Sequence, residues 1–198
     1  MNSKINFLII SLIFSTLFAT TINIPTDYET VQEGIDAAQD GDIVMVDEGL
    51  YEENLTINKE ITLTSTANFD ALEGNAGWYN DEIIQATIIN GSVINDPNKR
   101  SCLIIRDGDI QPTIKGLTFK EGVGTSMIVV DCDPYPVRSG GAILIYDAYP
   151  TINYNRFINN GISSEKWLMA PPFATDVPPP DKPGVKPLLI KRLYIMVG

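Results

Sequence analysis

Between residues 28 and 57 the chain reads YETVQEGIDAAQDGDIVMVDEGLYEENLTI, and its apolar positions change period partway along. Val31, Ile35 and Ala38 recur at i, i+4 and i+7, with Gln32, Glu33, Asp36 and Gln39 turned the other way. That spacing predicts one short helix, about three turns long, with a single apolar side. Thr26-Asp27-Tyr28-Glu29 has capping-box spacing at its start, and Gly41 supplies the permissive residue that stops it. Beyond Gly41 the period falls to two. Ile43-Val44-Met45-Val46, Leu55-Thr56-Ile57 and Ile61-Thr62-Leu63-Thr64 read as brief strands. So do 86–91, 102–106, 113–119, 142–146 and 151–158, most of them closed by Gly, Asn or Asp.

Two of these stretches repeat. Leu103-Ile104-Ile105-Arg106-Asp107 leads to Pro112-Thr113-Ile114, then to Phe119 and Gly122. Ile143-Leu144-Ile145-Tyr146-Asp147 leads to Pro150-Thr151-Ile152, then to Phe157 and Gly161. One such unit makes short strands whose apolar rows cannot be buried alone. Stacking the units about 4.8 Å apart buries the rows against each other. Ile104 and Ile143 are expected to share an interior column. Asn153, Asn155, Asn159 and Asn160 suit the bends, because Asn tolerates left-handed backbone. A stack of coils leaves an open apolar end with unpaired backbone groups. The lone early helix is expected to lie across that end as a lid.

These residues resemble the right-handed parallel β-helix proteins of the pectin-lyase-like type. YETVQEGIDAA followed by GDIVMVDEGLYEENLTINKEITLTS looks like that group's N-terminal cap and first coils. GGAILIYDAYPTINYNRFINN looks like one of its later coils. The resemblance implies an all-β solenoid with an N-terminal amphipathic capping helix. Tyr28-Glu29-Thr30-Val31-Gln32 and Gly49-Leu50-Tyr51-Glu52-Glu53 are similar to the first motif of pectin methylesterases. That family's catalytic motifs, Gln-Asp-Thr-Leu, Asp-Phe-Ile-Phe-Gly and Gly-Arg-Pro-Trp, have no counterpart in this chain, so no residue here inherits the esterase chemistry.

Charge and composition narrow the chemistry. The formal net charge of −11 argues against nucleic acid, and the absence of His removes the commonest general base and zinc ligand. Asp107 and Asp109, like Asp131 and Asp133, are paired carboxylates that can hold calcium through oxygen, or can simply make turns. The residues establish no cofactor and leave calcium as the candidate. The cations Arg106, Lys120 and Arg156 would grip an anionic sugar if they stacked on one face, and otherwise lie in solvent. The repeat copies start about forty residues apart, well over the length of one plain coil of such proteins, so 123–139 holds an extra coil or a protruding loop. Its Asp131, Asp133, Tyr135 and Arg138 are candidate substrate-binding residues. The stretch FDALEGNAGWY offers Trp78 and Tyr79 as a stacking platform for sugar rings, or as a cover for the apolar side of a coil. Asn54-Leu-Thr and Asn90-Gly-Ser fit the glycosylation sequon.

The ends differ from the middle. Residues 1–20, with Lys4 before the apolar run from Ile5 to Phe18, read as a secretory signal peptide cut near Ala19. Residues 21–162 are the expected β-helix domain. Residues 163–198 hold seven of the thirteen prolines and read as a disordered tail. Up to Ile162 there are 22 acids against 9 bases, and after it 3 against 5. Export places Cys102 and Cys132 in an oxidising compartment, where they either bridge or sit as small buried side chains. The reading is an exported module, secreted, periplasmic or on the cell surface, with no membrane span after cleavage. It binds polysaccharide or a cell-surface glycan, or builds a surface assembly, and self-associates through an uncapped last coil. The alternative is the N-terminal part of a lyase or esterase whose catalytic coils lie elsewhere.

Overall fold

The computed structural model describes residues 19–93, 95–129 and 135–162. β1 (Thr21–Ile24) precedes α1 (Val31–Ala37), and β2 (Ile43–Val46), β3 (Gly49–Tyr51), β4 (Leu55–Ile57) and β5 (Thr62–Ser65) follow. A helical insert comes next: α2 (Phe69–Leu72), a 3-10 turn at Trp78–Asn80, and α3 (Glu82–Ala86). Then come β6 (Thr87–Asn90), β7 (Lys99–Arg100), β8 (Leu103–Ile105), β9 (Thr113–Lys115) and β10 (Thr118–Lys120). β11 (Gly124–Val129) and β12 (Tyr135–Ser139) precede β13 (Ile143–Ile145), β14 (Thr151–Asn153) and β15 (Arg156–Ile158).

The fold is mostly β, and three of its four sheets are parallel. Their orders are β1-β2-β5-β9-β14, β15-β10-β6-β3 and β13-β8-β4. Between them the chain moves in a fixed rotation. β2, β3 and β4 put one strand in each parallel sheet, as do β5, β6 and β8, and then β9, β10 and β13. The fourth sheet, β12-β11-β7, is antiparallel.

The two repeat copies lie against each other residue for residue. Leu103 pairs with Ile143 and Ile105 with Ile145, while Thr113 pairs with Thr151 and Ile114 with Ile152. Phe119 pairs with Phe157, and their rings stack with centroids 5.7 Å apart and planes 15° from parallel. The main core holds Leu55, Leu103 and Ile143 from one sheet, Leu63, Ile114 and Ile152 from another, and Ile89 and Phe119 from the third. Ile143 points inward as expected. Ile104 does not: strand alternation turns it to the face opposite Leu103 and Ile105, where it is still only 4% exposed.

Two predicted strands, 113–119 and 151–158, are each broken in two. The breaks fall at Gly116 and Tyr154, with φ of 73° and 55°. Beside them Asn155 Oδ1 accepts from Leu117 N at 2.9 Å, and Nδ2 donates to the Ile114 carbonyl at 2.8 Å. Asn160 does the same one corner later, accepting from Gly122 N and donating to the Phe119 carbonyl. Asn159 takes the left-handed backbone, with φ of 52°. Asn153 instead lies within β14.

The early helix starts and ends differently from expectation. Its cap is Thr30, not Thr26, with Glu33 closing the capping box. It spans seven residues, about two turns, and stops at Ala38, before Gly41. Residues 23–27 are held in a turn instead, because Asp27 Oδ2 accepts from both the backbone and the side-chain nitrogen of Asn23. Val31 and Ile35 are fully buried against the core that includes Ile24 and Val44. The helix also meets β4, the edge strand of its sheet. Gln32 Oε1 accepts from Thr56 N at 2.8 Å, and Gln32 Nε2 donates to Thr56 O at 3.2 Å. Glu53 accepts from the backbone of Val31 and Gln32, both at 2.9 Å. Lys59 Nζ donates to the carbonyls of Ile35, Asp36 and Ala38 at 3.0, 2.6 and 2.8 Å. A carboxylate thus sits on the helix start and an ammonium on its end, the signs its dipole favours.

Candidate functional site: an aromatic insert

In the insert 69–86 both α-helical pieces are capped from their own sequence. Asn68 Oδ1 accepts from Ala71 N, and Asp81 Oδ1 accepts from Ile84 N. Apolar residues then bury a second, smaller core of Ala67, Leu72 and Ile84, with Phe69, Trp78, Ile83 and Tyr154 packed around it. Phe69 lies directly over Gly116: a Cβ there would meet the ring at 2.5 Å. The missing side chain is what lets the insert rest on the corner between β9 and β10.

Four aromatic rings gather on this corner. Tyr154 sits 5.7 Å from Phe69 and 5.6 Å from Trp78, the latter edge-on at 88°. Trp78 meets Tyr79 at 6.3 Å and 82°. Lys115 Nζ stands 4.3 Å from the centre of the Phe69 ring. Trp78 is half-buried and covers the small core, whereas Tyr79 is 52% exposed. The two neighbouring residues of FDALEGNAGWY therefore differ in exposure. Trp78 packs, and Tyr79 presents its ring to solvent from a base that Trp78 and Tyr154 hold. Phe69 and Tyr154 were not singled out in the sequence. Tyr154 was hidden because its role depends on the bend after β14, and only its position next to Asn153 and Asn155 hinted at that bend.

The other candidate residues fall apart from this cluster. Asp107, Gly108 and Asp109 are consecutive left-handed residues in an exposed turn, with φ of 74°, 109° and 39°. Asp107 pairs with Arg106 at 2.8 Å, both about half exposed. Among the described residues no three of His, Cys, Asp or Glu gather as a metal site. Asp131 and Asp133 lie outside the described residues, as does Cys132. Tyr135 opens β12, opposite Val129. Arg138 is tied into the antiparallel sheet, donating to the carbonyls of Gly124 and Pro97. Arg106, Lys120 and Arg156 do not form one row. Arg106 follows β8, whereas Lys120 faces Ile158 and Arg156 faces Thr118. Lys120 pairs with its neighbour Glu121 at 3.1 Å.

Other polar groups serve the frame. Cys102 is a free, buried thiol whose pKa burial pushes up to about 11. Asp42 is held below the usual carboxylate range by backbone N–H groups of Gln39 and Thr20. The sequon Asn54 donates to the carbonyls of Gly91 and Ser101, and the sequon Asn90 accepts from Ser92 N. No family model matches the chain, no curated protein matches it, and no solved structure matches it.

Proposed function

We propose that the chain is an exported, right-handed parallel β-helix module that binds polysaccharide through its aromatic insert. The coil reading is supported by the fixed rotation among three parallel sheets and by the in-register repeat. A chain that revisits three parallel sheets in one order, one strand further along each time, winds as a stack. The right hand is the one that parallel crossovers take. Export rests on the apolar N-terminal run, which lies outside the described residues.

One observation carries the binding reading: Tyr79 is more than half exposed yet braced edge-on by Trp78, which Tyr154 braces in turn. A sugar ring has an apolar face that stacks on such a ring. An aromatic already held in place loses little freedom on binding, so more of the contact energy reaches the affinity. Lys115, over Phe69 on the same corner, adds a cation at the edge of the platform.

The test is a glycan array and affinity electrophoresis on the mature chain, with a uronate-release assay run with and without calcium. At least one polysaccharide should retard the wild type without being cleaved. Tyr79→Ala should weaken that binding by roughly threefold to tenfold, the worth of one aromatic contact. Binding unchanged in Tyr79→Ala, or no glycan bound at all, would sink the reading. Release of uronate products would make the chain an enzyme instead.

A further inference from the structure

The antiparallel sheet carries a second cluster, on elements separate from the aromatic insert. Cross-strand pairing fixes which side chains share a face. Arg100 lies opposite Gly124, and Arg138 lies opposite Ser126. Positions 124 and 126 are two apart on β11, so Arg100, Ser126 and Arg138 fall on one face. The other face carries Thr125 and Ser139, both buried, with the Thr125 hydroxyl 2.7 Å from that of Ser101. Gly124 brings no side chain, so nothing from that position stands between the two arginines.

Arg138 folds back toward Arg100. Its Nη1 donates to the Gly124 carbonyl at 2.8 Å and its Nη2 to the Pro97 carbonyl at 2.6 Å. Its head is therefore bound to the very residue that faces Arg100. Arg100 Nε is buried and has no hydrogen-bond partner. Neither arginine pairs with a carboxylate among the described residues, although the chain carries 25 acids against 14 bases. A buried guanidinium N–H without an acceptor is costly, and the cost disappears when an anionic oxygen fills the position.

We propose that Arg100, Ser126 and Arg138 bind a small oxyanion, the carboxylate or sulfate group of a ligand, with one oxygen accepting from Arg100 Nε. The planar fork of arginine suits both groups. This site does not depend on the glycan reading of the insert.

The full chain, labelled with nitrogen-15, is titrated with sodium sulfate and separately with sodium acetate, each against chloride at matched ionic strength. The Arg100 Nε–Hε resonance should move saturably with sulfate or acetate and not with chloride. The anion that moves it distinguishes a tetrahedral from a planar ligand. Arg100→Gln, followed at the Ser126 amide, should weaken binding roughly tenfold or more, as loss of a charge-assisted hydrogen bond requires. If that variant does not fold, the wild-type Nε–Hε titration decides alone. A drift identical in all three salts, or unchanged affinity in folded Arg100→Gln, overturns the proposal.

Discussion

The side-chain amide of Gln32 makes the same two bonds to Thr56 that a neighbouring strand would make, accepting from its N–H and donating to its carbonyl. β4 is the edge of its sheet, and an edge strand presents unpaired backbone groups. The helix thus covers the open side of β4 with hydrogen bonds as well as with the apolar contacts of Val31 and Ile35. Gln32→Ala should lower stability by about 1–2 kcal/mol in urea unfolding, since two partners lose their match. Exchange of the Thr56 amide should quicken more than that of the Leu103 amide, which bonds to Ala142.

Lys59 closes the other end of the helix, with three carbonyls around one ammonium. Lys59→Met keeps the aliphatic stem and removes the charge. It should cost about 1.5–3 kcal/mol, the range for hydrogen bonds to a charged group. A loss confined to helix fraying, with the global midpoint unmoved, would show that the helix is not part of the cooperative unit.

Glycine is required where successive turns approach each other. A Cβ on Gly122 would overlap the Gly141 carbonyl oxygen, and a Cβ on Gly141 would overlap the Gly161 oxygen. The obstacle in each case is backbone, which cannot swing aside. Gly122→Ala should cost about 3 kcal/mol or more. Gly161→Ala, where nothing lies within 4 Å, should change stability by about 1 kcal/mol at most. Equal effects from thermal melts of both variants would contradict this packing.

Two buried groups make stability depend on pH. Asp42 has a folded pKa below its unfolded value, so its contribution is present above the unfolded pKa and is lost as pH falls through the folded one. Asp42→Asn should therefore flatten the acid side of the stability curve. Cys102 is shifted the other way, from 9.0 to about 11. Its contribution is complete below 9 and is lost as pH rises toward 11. Iodoacetamide at neutral pH should leave Cys102 unmodified in the folded chain and label it in urea.

The parts of the fold that the sequence made legible are those set by short, repeated patterns. The Pro-Thr-Ile and Phe spacings fixed the register of β9 with β14 and β10 with β15, because stacked strands bury like against like. The helix was legible in its apolar face but not in its start. Thr26-x-x-Glu29 and Thr30-x-x-Glu33 both fit a capping box, and the choice was made by Glu53, some twenty residues away, and by the turn that Asp27 makes with Asn23. The span 123–139 was readable as surplus, yet its antiparallel pairing needs β7, from an earlier loop. Gln32 looked like an exposed helix residue, since nothing local marks it as a partner for an edge strand. At the aromatic insert, Trp78 and Tyr79 were visible as residue types. Their division of labour depends on Tyr154, which the bend after β14 delivers.

Nuclear Overhauser contacts between Ile114 and Ile152, and between the rings of Phe119 and Phe157, test the stacked arrangement most directly. These residues are 38 positions apart in the chain, and parallel register brings each pair side by side. Strong cross-peaks within both pairs, with Ile35 contacts to Val44 at the covered end, are the predicted result. Absence of both long-range pairs in a folded, dispersed spectrum would contradict it.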